Sequence, residues 1–152
     1  MRYLDKLKEY SEVFEYCLGA DNEEIEFAEK QLSIFFPKNY RQFLSECGMC
    51  NFGDTRIDGI FKTENQIVYS VVENTLMLRK LGDLPQNLIV LDFEEQEYLT
   101  LYKVSENGII EDCCVFGAEV NCGENEQIKI GKLVKQFDTF EQYFENFIEL
   151  GK

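Results

Sequence analysis

Two kinds of residue in this chain carry enough chemistry to consider a site: cysteines and carboxylates. Cys47-Gly-Met-Cys50 is a C-x-x-C, the spacing of thiol–disulfide exchangers and of half of many zinc sites. An exchanger keeps its attacking thiol at a helix N-terminus, where the dipole lowers the thiol pKa. Here the pattern puts Cys47 at a helix C-terminus. A zinc site needs a second pair of ligands, and the chain has no histidine. Cys113 and Cys114, adjacent in an expected strand, point to opposite faces and do not serve one ion. With Cys17 and Cys122, the six cysteines are read as free structural thiols. Metal binding and redox chemistry at Cys47 and Cys50 are the alternatives.

The carboxylates are far more numerous. The chain holds 29 acidic and 15 basic residues, a net charge of −14. Between residues 81 and 128 only Lys103 stands against 11 carboxylates. Within that block, Asp92-Phe93-Glu94-Glu95-Gln96-Glu97 falls between two strand-like runs and reads as a hairpin tip. Two carboxylates can act as acid and base in glycoside hydrolysis. Acids this frequent meet by chance, however, and a solvated face explains them better. No histidine is present as general base. The ten glycines form no phosphate-binding loop, and no G-x-S-x-G is present. This points to a binding protein with no catalytic set, cofactor or metal.

A one-signed field repels phosphates, which argues against nucleic acid as a partner. It suits a basic partner, or simply keeps the protein soluble. Tyr98 and Tyr102 lie beside these acids, and tyrosine among carboxylates is a common interface composition; a half-buried sheet face is the plainer account. Asp92, Glu94, Glu95 and Glu97 are therefore the first candidates for contact with a partner. Glu111, Asp112, Tyr98 and Tyr102 are the second.

The elements that must hold these residues can be read in order. At 152 residues, a single domain spanning 1–152 buries roughly 68–70% of its unfolded surface and needs no metal or disulfide to fold. No apolar run approaches the ~20 residues that span a bilayer, and the first ten residues lack a continuous apolar signal core, so the expected compartment is the cytoplasm. Tyr3, Leu7, Tyr10, Phe14 and Cys17 repeat at helical spacing, which predicts a helix over 2–17. Asp21 with Glu24 makes a capping-box pattern for a second helix whose stripe is Ile25, Ala28, Leu32 and Phe35. Pro37 opens a third, with Tyr40, Phe43, Leu44 and Cys47 on one side and Gly48 as its stop. Short strands are expected at Thr55–Phe61 and Gln66–Tyr69, and a helix from Ser70 to about Leu81.

Leu88-Ile89-Val90-Leu91 reads as a central strand covered on both faces. Tyr98–Val104 follows it, then an Asn107-Gly108 turn, with strand material at Ile109-Ile110 and Cys113–Phe116. Gly117–Glu126 reads as a polar surface loop, and Gln127–Val134 as a short strand or loop. Thr139 and Gln142 cap a final helix carrying Phe140, Phe144, Phe147 and Ile148. This segregated order predicts an α+β fold: N-terminal helices packed on a mixed or antiparallel sheet, with a closing C-terminal helix.

Several of these stretches carry a resemblance. Glu29, Leu32, Pro37, Tyr40, Phe43, Leu44 and Gly48 resemble the N-terminal signature of the SUKH superfamily. Ile57-Asp58-Gly59-Ile60-Phe61 resembles its next strand, which passes through a glycine. Leu84-Pro85 leading into Leu88–Leu91 looks like its central strand, and Thr139–Phe144 like its closing helix. The ordered set covers nearly the whole chain. The chain departs from the pattern at Met49-Cys50, where the family often has a second glycine, and at Glu94–Glu97, where its hairpin often carries one.

The resemblance implies a non-catalytic α+β domain. Many bacterial members are immunity proteins that bind and neutralise a cognate toxin, often a nuclease; eukaryotic members include regulators of cell-wall synthesis. The expectation is thus a cytoplasmic antitoxin that covers a basic nuclease with its acidic surface. A regulatory scaffold for an endogenous partner is the alternative.

Overall fold

A computed structural model of the chain describes residues 2–152. The helices are α1 (Tyr3–Glu9), α2 (Asn22–Leu32), α3 (Lys38–Cys47), α4 (Ser70–Gly82) and α5 (Phe140–Gly151). The strands are β1 (Glu15–Tyr16), β2 (Cys50–Phe52), β3 (Thr55–Ile57), β4 (Phe61–Lys62), β5 (Ile67–Val68), β6 (Leu88–Glu94), β7 (Tyr98–Lys103), β8 (Val115–Cys122), β9 (Ile128–Ile130) and β10 (Val134–Phe137). Every strand pairing is antiparallel. The result is a single α+β domain. No described helix is long and apolar enough to cross a membrane.

The helices form where local signals are strongest. The Asp21 carboxylate accepts from Glu24 N–H at 2.9 Å, and the Glu24 carboxylate accepts from Asp21 N–H at 2.9 Å, satisfying two donors that a helix start leaves free. α2 ends at Leu32 because Ser33 turns left-handed, at φ 55°. That turn takes Phe35 off the helical stripe: it is 39% exposed, while Ile34 and Phe36 are buried. Glu29 closes the corner, accepting from Phe36 N–H at 2.7 Å and pairing with Arg41 at 3.1 Å.

α1 is shorter than the sequence periodicity predicts. It stops at Glu9, and Tyr10 leaves helical dihedrals at φ −127°, ψ 45°. The turn that follows drives Phe14 into the core against Phe52 and Phe147. A helix continued to Cys17 would absorb Glu15 and Tyr16, which instead form β1 and pair with β2.

The main sheet runs β10-β8-β7-β6, with β9 also on β8. One face packs on α4 through Leu78, Leu88, Val90, Leu99, Leu101 and Val120. The other faces α1, α3 and α5 through an aromatic cluster: Tyr3, Tyr40, Phe43, Tyr102, Phe140 and Phe144, with ring centroids 4.9–6.0 Å apart. Each such side chain contributes about 1.5–3 kcal/mol by burial. Leu88–Leu91 is buried on both faces as expected. It is nevertheless the last strand of the hydrogen-bonded order, and β7 and β8 are the interior ones. Its outer edge is closed by other means: Asp58 N–H donates to Leu91 O at 2.6 Å, and Val90 N–H to Thr75 Oγ1 at 3.0 Å.

The stretch read as a polar loop, Gly117–Glu126, is largely strand. β8 runs to Cys122, with Ala118 and Val120 buried on the α4 face. Cys113 and Cys114 precede it, and Ile109-Ile110 is not strand. Gln127–Val134 divides between β9 and the start of β10, and Thr55–Phe61 divides between β3 and β4. The chain passes between these two through Gly59, where a Cβ would lie 2.1 Å from Gly48 O. Gly48 itself sits at φ 69°, and its carbonyl accepts from Ile60 N–H at 2.9 Å. Two glycine backbones meet there, closer than any side chain allows.

Candidate partner-binding surface

The β6–β7 hairpin is built by Glu94↔Tyr98 pairing and closed by Glu97 N–H donating to Glu94 O at 3.0 Å. Its two central residues, Glu95 and Gln96, have φ of 51° and 59°. Such turns favour asparagine and glycine, yet this one carries neither. The β8–β9 connection lies beside it. Val120 N–H donates to Glu97 O at 2.8 Å, and the Cys122 thiol faces Gln96 O at 3.8 Å. Here too two non-glycine residues, Asn125 and Glu126, have positive φ.

The fold thus gathers two acidic turns at one end of the sheet. Glu94, Glu95, Glu97, Glu119, Glu124 and Glu126 are all exposed there. Tyr98 sits among them, opposite both Glu94 and Glu119. Its hydroxyl accepts from the Gln136 side chain on β10. The ring lies across Gly117, where a Cβ would fall 1.9 Å from the Tyr98 hydroxyl. Tyr98 is therefore pinned flat rather than free to swing.

The other residues singled out from the sequence lie elsewhere. Asp92 is 6% exposed. A bulge between Val90 and Asp92 adds one residue to the alternation, so Asp92 falls on the inner face after Leu91 rather than at the tip. There it meets Arg56 at 3.9 Å, while Arg56 Nε lies 3.1 Å from the fully buried Asp58. Asp58 Oδ2 accepts from Asn74 at 2.8 Å; its Oδ1 has the ion pair but no aligned hydrogen bond. Burial first, then the Asp58 charge, push the Asp92 carboxyl up to about 7, against the pull of Arg56. Burial raises Asp58 as well.

Tyr102 is fully buried at the far end of β7, and its hydroxyl donates to Asp112 Oδ1 at 2.6 Å. Burial and Asp112 drive its ionisation out of reach. Asp112 also accepts from Asn39 at 2.7 Å, Cys113 N–H at 2.7 Å and Phe140 N–H at 2.9 Å. It joins α3, β7 and the start of α5, alongside the Thr139 cap on Gln142 N–H. Glu111 is exposed, beside Lys38 at 3.7 Å. The eight residues therefore divide into a group at the acidic tip (Glu94, Glu95, Glu97, Tyr98), a group at the opposite end (Tyr102, Glu111, Asp112) and one buried between them. Glu119, Glu124 and Glu126 join the tip. Their carboxylates were visible in the sequence, but their position depends on β8 being a strand.

The thiols are poorly placed for chemistry. All six cysteines are free. Cys47 and Cys50 are fully buried, and burial pushes both thiols far above their ordinary value, which suppresses the thiolate that attacks or binds metal. Among the described residues no three of histidine, cysteine, aspartate or glutamate are grouped to hold a metal ion. A recess of about 560 Å³ beside Phe35 and Ile109 contains the Glu29–Arg41 pair but none of the residues at the tip.

No curated protein matches the chain closely enough to count as a relative. A family profile described as SMI1-KNR4 cell-wall, of the SUKH_5 type, matches residues 2–149. With the glycine contact at Gly48 and Gly59, the α3 stripe and the capped α5 all in place within that span, the chain belongs to the SUKH_5, SMI1-KNR4 cell-wall, family.

Proposed function

We propose that this chain is a non-catalytic immunity protein that acts in the cytoplasm and neutralises a cognate toxin, a basic nuclease, by covering it with the acidic end of the sheet. The observation that carries the reading is the convergence of the β6–β7 and β8–β9 turns, which sets six exposed glutamates around a pinned tyrosine. Family membership supports it, because SUKH domains are commonly immunity proteins. Clustered charge steers a basic partner and lifts association rates up to about 10⁸–10⁹ M⁻¹s⁻¹ at low salt. A flat, immobilised Tyr98 supplies contact area at little entropic cost.

The test is co-expression with the product of the neighbouring gene, followed by pull-down and stopped-flow association. The variant with Glu94→Lys, Glu95→Lys and Glu97→Lys is expected to slow association at least tenfold at low salt and to flatten its salt dependence. Binding and protection that survive the triple change intact would remove the tip as the site. A stable complex with a non-toxic cytosolic protein instead would make the chain a regulatory scaffold.

A further inference from the structure

The open side of β10 is apolar and basic, opposite in sign to the tip. β10 ends the sheet order, whereas the β6 edge is closed by Asp58 and Thr75. Leu133 and Val134 are 36% and 55% exposed, an unusual load of apolar surface for an uncovered edge. Around them lie Lys129, Lys132 and Lys135, with no carboxylate between Gln127 and Phe137, in a chain whose net charge is −14. Lys135 reaches Asp138; Lys129 and Lys132 are exposed. Beside the edge, where β9 gives way to β10, a recess of about 360 Å³ opens between Tyr98, Glu119, Gly131, Lys132, Val134 and Gln136.

We propose that the β10 edge docks an extended acidic segment of a partner protein, which adds a strand to the sheet. An edge strand offers unpaired N–H and C=O groups to any chain, and lysines on it ordinarily turn other chains away. They repel basic segments, and they disfavour a second copy of this protein, whose own lysines would be brought alongside. An acidic strand is the class of chain they admit. Main-chain bonds would give affinity, the lysines sign selectivity, and the recess room for one side chain. This surface borders the acidic tip, since Tyr98 and Glu119 line the recess, but it does not depend on the toxin-binding reading.

The probe is a fluorescein-labelled nonapeptide of alternating glutamate and valine. Its control has the two central valines replaced by proline, which keeps the charge but removes the N–H groups a ladder needs. Fluorescence anisotropy is expected to show the alternating peptide binding at least tenfold more tightly than the proline peptide. Amide shifts in NMR spectra are expected to centre on residues 134–137. Lys129→Glu, Lys132→Glu and Lys135→Glu together are expected to weaken binding at least tenfold. Equal affinity for both peptides would reduce the effect to plain charge attraction and overturn the proposal. So would shifts centred away from β10, or no binding of either peptide. A concentration-dependent dimer that Val134→Lys dissolves would also overturn it, assigning the edge to a second copy.

Discussion

Asp112 and Asp92 show how far the meaning of a carboxylate depends on its surroundings. Both were read from the sequence as surface contacts. Asp112 instead accepts from Tyr102, Asn39, Cys113 and Phe140, so its removal leaves a buried hydroxyl and a helix start unsatisfied. Asp112→Ala is expected to lower stability by about 2–4 kcal/mol, with Asp112→Asn costing less because it keeps an acceptor; urea unfolding measures both. Asp92 acts in the opposite sense. Its folded-state value is raised to about 7, above the ~3.9 of an unfolded aspartate. Its contribution is therefore fully present below about pH 4 and is lost as pH rises through 7, at a slope approaching 1.4 kcal/mol per unit. Relative to wild type, Asp92→Asn is expected to become progressively more stable between pH 4.5 and 7 and to level off above, a window set by the ~3.9 and ~7 limits. A stability difference that does not change across that window would show that Asp92 stays ionised beside Arg56.

Among the elements, those with local signals were legible in the sequence and those fixed by distant pairing were not. α2, α3 and α5 start close to the residues whose chemistry marks them, Asp21 with Glu24, Pro37 and Thr139; α4 begins at Ser70, but that hydroxyl bonds Gly59 and does not cap the helix. α1 was overextended because Tyr10 and Phe14 keep helical spacing while serving a turn. β8 escaped because Gly117, Glu119, Asn121 and Cys122 dilute its alternation; what makes it a strand is pairing with β7, β9 and β10. The bulge that buries Asp92 has no local signature either. The β6–β7 turn carries its own test. Glu95 and Gln96 at positive φ hold strain that asparagine and glycine would relieve. Glu95→Asn with Gln96→Gly is expected to raise stability by about 1–2 kcal/mol in chemical denaturation. Retained strain at an exposed acidic turn fits a place where contact with a partner, not stability, has set the residues. An unchanged or lower stability would remove that argument.

At the scale of the whole molecule, charge is the property that composition announced and the fold then organised. The excess acid lies in residues 81–128, and the topology concentrates it further by bringing the β6–β7 and β8–β9 turns together while the lysines of 129–135 fall on the neighbouring edge. Like charges at one end of a sheet repel one another whether or not a partner is bound. Raising ionic strength from about 0.01 M to about 1 M shortens the screening length from about 30 Å to about 3 Å. The melting temperature of the free protein at pH 8 is expected to rise over that range. In the variant with Glu94→Lys, Glu95→Lys and Glu97→Lys, the low-salt melting temperature is expected to lie above that of wild type, and its salt dependence is expected to shrink, because the repulsion has been removed at its source. The same three changes are expected to weaken toxin binding. A variant that is more stable when free and worse at binding would mark the tip as a surface kept acidic for its partner at the expense of the fold. A variant with unaltered salt dependence would place the repulsion elsewhere in the chain and leave the tip a solvated end of the sheet.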